Sequence, residues 1–122
     1  MKPTNVVLLQ SDPNIAQILA TSLSNSFHRV HVAASLDDLR HAAAESRAFA
    51  IVVDLETASL KDVESLKRDF QETRIVCNHR VPDEEMWTDS LTAGADDCLP
   101  SSDMSGILFA TVREMTAGNM AA

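Results

Sequence analysis

The sequence predicts an α/β domain of three layers, αβα, around a five-stranded parallel sheet. Apolar runs such as Val6-Val7-Leu8-Leu9 and Ile51-Val52-Val53 lack the polar alternation of a half-buried strand, so they read as strands covered on both faces. Segments with apolar residues at helical spacing lie between these runs, as in a succession of βα units. The chain has 122 residues, 45% of them hydrophobic, which suits one domain with a core between helices and a sheet.

The first strand covers roughly Asn5 to Leu9. Asp12-Pro13 then supplies an N-cap and a first-turn proline for the first helix, whose inward stripe is Ile15, Ile18, Leu19 and Leu23. The second strand lies near Arg29 to Ala33. Ser35, with Asp38 three residues on, opens the second helix, which runs to about Glu45 with Leu36, Leu39 and Ala43 inward. The third strand runs from about Phe49 to Val53 and ends on Asp54. Leu60, Val63, Leu66 and Phe70 form the apolar side of the third helix. The fourth strand is near Arg74 to Asn78, the fourth helix Asp83 to Ala93, and the fifth strand the short Asp97 to Leu99. The fifth helix follows Asp103, with Met104, Ile107, Leu108, Val112 and Met115 inward and Gly118 as its stop. Residues 1–117 are therefore expected to form the domain, and 118–122 a tail or the start of a linker.

Five βα units in this length fit a doubly wound, flavodoxin-like fold of strand order 2-1-3-4-5. That fold places its site in the loops at the carboxyl ends of the strands. Those loops contain Gln10-Ser11-Asp12, Asp54-Leu55-Glu56, Asn78-His79 and Pro100-Ser101-Ser102.

Composition excludes several functions. A formal net charge of -8 opposes binding to a phosphate backbone, so no direct contact with nucleic acid is expected. No apolar run is long enough to span a bilayer, and the first residues lack the layout of a signal peptide, so a cytoplasmic protein without membrane contact is expected. Two cysteines, Cys77 and Cys98, suggest reduced core thiols rather than a disulfide framework.

Three segments carry a family resemblance: Ile51-Val52-Val53-Asp54-Leu55, Ala93-Gly94-Ala95-Asp96-Asp97-Cys98-Leu99, and Ser11-Asp12-Pro13 opening the first helix. Through them the chain resembles the CheY-like receiver domains of response regulators from about Asn5 to Met115. The resemblance implies a role in two-component, phosphorelay signal transduction. It also implies a set of working parts: an acidic pair after the first strand to bind Mg²⁺, an Asp nucleophile after the third, a Thr or Ser after the fourth, and Lys-Pro after the fifth. The metal and the Lys neutralise charge on the transferring phosphoryl group, and the hydroxyl holds one of its oxygens.

Only Asp54 matches that set, as the phosphoacceptor equivalent. Gln10 and Ser11 stand where the acidic pair is expected, a poor home for a hard divalent cation. Asp12, one place on, better suits the helix cap. Asn78 replaces the hydroxyl residue, Ser101 the Lys and Ser102 the Pro, while His79 takes a usually small position where it would narrow access to Asp54. Ala58-Ser59 stands where Pro-Gly is usual, and Asp62 where a second Gly is common. The substitutions suggest a metal-free pocket in which the side chains of Gln10, Ser11, Asn78 and Ser101 donate hydrogen bonds to the Asp54 carboxylate. The expected function is thus an atypical receiver that uses no cofactor, catalyses nothing itself, and acts by protein-protein contact. Two alternatives stay open: a slow phosphoaccepting receiver using Asp54, and a small-molecule-binding regulatory domain using the vacated metal pocket.

Cys77, His79 and Cys98, at the ends of adjacent strands, raise a soft-metal site against the plainer reading of core cysteines. Cys98 also falls where receivers place the aromatic residue of their switch. Trp87 and Phe109 fall off the inward stripes of their helices. With Cys98 they mark an interaction face for a protein partner, an output domain or a homodimer across the fourth helix, fifth strand and fifth helix. The opposing reading folds Trp87 back over the helix end. His28, His31 and His41 are scattered in sequence and suggest no role.

Overall fold

The structure is a computed structural model that describes residues 5–121, with side chains described through residue 112. Five strands alternate with five helices: β1 (Asn5–Leu9), α1 (Pro13–Leu23), β2 (Arg29–Val32), α2 (Leu36–Ser46), β3 (Ala50–Asp54), α3 (Leu60–Asp69), β4 (Arg74–His79), α4 (Glu84–Ala93), β5 (Asp97–Pro100) and α5 (Met104–Ala121). The strands form one parallel sheet in the order β2-β1-β3-β4-β5.

Strand periodicity divides the core in two. Val7, Leu9, Ile51, Val53, Ile75 and Cys77 point to one face, where they pack with Leu39, Ala43, Val63 and Leu66 of α2 and α3. Their neighbours Val6, Leu8, Ala50, Val52 and Val76 point to the other, against Leu19 and Leu23 of α1 and Ile107 and Ala110 of α5. The same alternation carries Asp54 and Asn78, two residues beyond Val52 and Val76, onto the α1 and α5 side at the carboxyl ends of β3 and β4.

Capping chemistry sets the helix starts. Asp12 accepts the Asn14 N–H, Ser35 the Asp38 N–H, and Asp83 the Met86 N–H. Ser59 and Asp62 form a reciprocal capping box at the start of α3, so the residues that depart from the receiver pattern there have a structural use of their own. Gly94 ends α4 at φ 118°, where an added Cβ would meet Lys67 Cγ at 2.7 Å. Gly94→Ala is therefore expected to cost about 1–2 kcal/mol in a urea melt, since both backbone conformation and space oppose a methyl.

Three expectations need correction. Ile18 is 50% exposed: α1 buries Ala16, Leu19 and Leu23, and Ile18 lies well around the helix from that stripe. Leu60, at the first turn of α3, is exposed rather than inward. The β2 strand lies at the sheet edge, as the order 2-1-3-4-5 requires, with three of its four residues exposed. Helix α5 continues through Gly118 to Ala121, because an interior glycine costs only about 1 kcal/mol relative to alanine and no proline follows to force a stop. The side chain of Met115 lies outside the described residues. Among the described residues, no helix is long and apolar enough to cross a membrane.

Candidate functional site

Asp54 ends β3 beneath a pocket of about 320 Å³ lined by Gln10, Ser11, Asp12, Ile15, Asp54, Glu56, Arg80 and Ser101. Asp54 is 2% exposed, and three backbone N–H groups hold its carboxylate. Ser11 N–H donates to Oδ2, while Glu56 N–H and Thr57 N–H each donate to Oδ1 at 2.8 Å. The chain turns sharply after β3, closing through the Thr57 and Ala58 N–H groups on the Asp54 carbonyl, and this turn aims successive amides at the Asp54 side chain.

Three of the four neutral side chains expected to donate to Asp54, those of Gln10, Asn78 and Ser101, instead bond one another, and Ser11 reaches Asp54 through its backbone. Gln10 Nε2 donates to Asn78 Oδ1 at 2.8 Å, and Asn78 Nδ2 returns a bond to Gln10 Oε1 at 2.9 Å. Asn78 Nδ2 also donates to Ser101 Oγ at 2.8 Å. Two primary amides are mutually complementary, each carrying a donor and an acceptor, so they close a two-bond pair that a carboxylate could not offer. Asn78 is fully buried and directly opposite Asp54 in the β3-β4 register. Since β1 and β4 both neighbour β3, the Gln10-Asn78-Ser101 chain crosses the end of β3 and ties β1, β4 and β5 together above the sheet.

His79 does not line this pocket; its ring Nδ1 accepts the Val81 N–H at 3.2 Å. The residue that borders the pocket is Arg80, whose Nε donates to Glu56 Oε2 at 3.0 Å. No family position drew attention to Arg80, and an ion pair between two loops leaves no mark in either loop alone. Asp12 serves as the α1 cap.

Cys77 and Cys98 face each other across β4 and β5 and are buried, free thiols. Burial pushes both above the ordinary thiol range, which keeps them protonated and poorly nucleophilic. Three histidines that look scattered in sequence, His28, His31 and His41, line one open groove beside β2 and α2. Trp87 is 46% exposed and Phe109 64% exposed. Trp87 is thus neither fully outward nor folded away: it forms one wall of a shallow groove with Pro82, Cys98 and Pro100.

The Mg²⁺ that a receiver fold implies fits this donor set poorly: of the pocket's carboxylates, Asp12 caps α1, Glu56 pairs with Arg80, and Asp54 is held by backbone N–H groups. The Gln10 amide is committed to Asn78, Ser11 meets Asp54 through its backbone, and both Asp54 oxygens already receive N–H dipoles whose positive ends repel a cation. Among the described residues, no group of three or more His, Cys, Asp or Glu side chains is placed to hold a metal ion.

No protein-family model matches the sequence, and no curated protein matches it. Solved structures do match. The chain is similar to the signal receiver domain of a DNA-binding response regulator from Colwellia psychrerythraea 34H, with 13% identity and a TM-score of 0.81 over 93% of this chain and 98% of that one. It is similar to a response regulator from Burkholderia pseudomallei with a phosphorylated aspartic acid, calcium ion and citrate: 21% identity, TM-score 0.77, 95% of this chain and 72% of that one. A third is an atypical orphan response regulator described as having a phosphorylation-independent regulatory mechanism, with 15% identity and a TM-score of 0.81 over 93% and 96% of the two chains. The chain has the fold of CheY-like response-regulator receiver domains.

Proposed function

We propose that this chain is a receiver-type signalling module that works by protein-protein contact, with Asp54 as a structural carboxylate and without Mg²⁺-dependent phosphorylation. The observation that supports this reading most is the Gln10-Asn78-Ser101 chain. It satisfies the polar groups at the ends of β1, β4 and β5 with no cation and no phosphoryl group. A phosphoacceptor needs a free carboxylate oxygen and cations to neutralise the transferring group. Here both oxygens accept backbone N–H bonds, and Ser101 provides no charge where receivers carry Lys. The orphan regulator that shares the fold offers a precedent for signalling of this kind. On this reading the chain is not an enzyme, and its partner or output domain meets the face formed by α4, β5 and α5.

One observation favours slow phosphorylation instead. Arg80 borders the pocket and could turn from Glu56 toward an incoming anion. Incubation with Mg²⁺ and acetyl phosphate, followed by intact-mass measurement, separates the two. Our reading predicts the unmodified mass. A phosphoryl adduct that disappears in both Asp54→Asn and Arg80→Ala would establish the slow phosphoacceptor.

A further inference from the structure

We infer that the groove beside Trp87 receives a cationic, amphipathic segment of a partner protein. This inference rests on the contact-based reading above and names the chemistry of the partner. The groove, about 320 Å³, is lined by Pro82, Asp83, Glu84, Trp87, Cys98 and Pro100. Its walls and floor are largely apolar, Val81 beside it is 78% exposed, and Phe109 on the neighbouring helix is 64% exposed. An indole and a valine left this open to water are suited to covering an apolar side chain.

Charge decides what that side chain is attached to. From Val81 to Val112 the sequence contains no Lys, Arg or His, yet it carries Asp83 and Glu84 at the groove and Glu85, Asp89, Asp97 and Asp103 around it. The ion pairs of His31 with Asp38, of Arg40 and Arg68 with Asp69, and of Arg80 with Glu56 do not involve these carboxylates. Asp83, Asp97 and Asp103 accept backbone N–H bonds from Met86, Cys98 and Gly106. Asp96 differs, since its carboxylate turns inward to the Ile75 N–H. An apolar groove edged by Asp83 and Glu84, on a stretch of chain without Lys, Arg or His, is complementary to a segment with Lys or Arg around an apolar anchor.

The same features disfavour the other occupants. A symmetric dimer through this face would set its carboxylates against their own copies. Strand pairing at the free edge of β5 is hindered too: Pro100 has no N–H, and the Cys98 N–H is held by the Asp97 carboxylate at 2.8 Å. Nucleic acid carries the wrong charge.

Trp87 is the only tryptophan, so its emission reports this groove directly. The probe is a short, fluorescein-labelled amphipathic peptide of Leu and Lys, with a Leu and Glu peptide as control. Expected are saturable anisotropy and a blue shift of Trp87 emission with the Lys peptide, both weakening as salt is raised, and neither with the Glu peptide. Glu84→Lys and Trp87→Ala, each checked for fold by circular dichroism, should weaken binding at least about tenfold. The inference is overturned if the Lys peptide leaves Trp87 emission unchanged, or if both folded variants bind like the wild type. It is also overturned if sedimentation shows a dimer that Trp87→Ala dissolves, in which case a second copy fills the groove and signalling by contact survives. A phosphoryl adduct on Asp54 would defeat the contact-based reading and leave the peptide result standing.

Discussion

Asp54→Ala is expected to lower the unfolding free energy by about 2–4 kcal/mol, read from urea denaturation monitored by circular dichroism. Three backbone donors converge on this one side chain, from Ser11, Glu56 and Thr57. A hydrogen bond to a charged group contributes about 1.5–3 kcal/mol, but the pocket above is open enough for water to replace part of what is lost, so the sum of three such bonds is not reached. The sign matters more than the size. In a receiver pocket crowded with carboxylates, removing one relieves repulsion. Here Asp12 and Glu56 share the pocket, but three backbone N–H groups hold Asp54, and its loss strands the amides that shape the turn after β3. Asp54→Asn, which keeps one acceptor oxygen, should fall between the wild type and the alanine variant.

The second large effect is expected at Asn78. This side chain is fully buried, donates to both Gln10 and Ser101, and accepts from Gln10. Asn78→Ala should cost about 2–3 kcal/mol, because it opens a small cavity and leaves the amide of Gln10 and the hydroxyl of Ser101 without their partner. Asn78→Thr restores the hydroxyl residue that receivers carry after β4, yet it should also destabilise, since a single hydroxyl cannot return both bonds of a primary amide. A double-mutant cycle tests the pairing itself. Gln10→Ala should cost about 1 kcal/mol or more in the wild type and clearly less in the Asn78→Ala background. Equal costs in the two backgrounds would mean that the amide pair contributes no coupling.

The sequence makes the βα succession legible because strands buried on both faces leave uninterrupted apolar runs, and capping residues mark where helices begin. Asp12 and Ser35 cap the helices whose starts they mark in the sequence. The edge is where this logic weakens. Strand β2 carries no uninterrupted apolar run, and its edge place was read from the strand order of the whole topology rather than from Val30 and Val32. The substituted positions of the pocket were equally legible, and four of them do meet there. Their partners were not. Backbone amides have no side-chain signature, so the donors to Asp54 could not be read from residue types, whereas Gln10 and Asn78 looked available to Asp54 until their mutual geometry was seen. Arg80 and Glu56 lie on separate loops that only the fold brings together. The gathering of His28, His31 and His41 beside β2 has the same origin.

The most direct test of the metal-free pocket is the melting temperature of the wild type and of Asp54→Asn, each measured with and without millimolar Mg²⁺. A preformed cation site would stabilise the wild type by mass action, and in a domain of this size each kcal/mol appears as about 3–6 °C. The account predicts that Mg²⁺ leaves both curves where they are, with the wild type melting above Asp54→Asn in either condition. A rise of several degrees in the wild type alone, with Asp54→Asn the more stable protein when Mg²⁺ is absent, would contradict it.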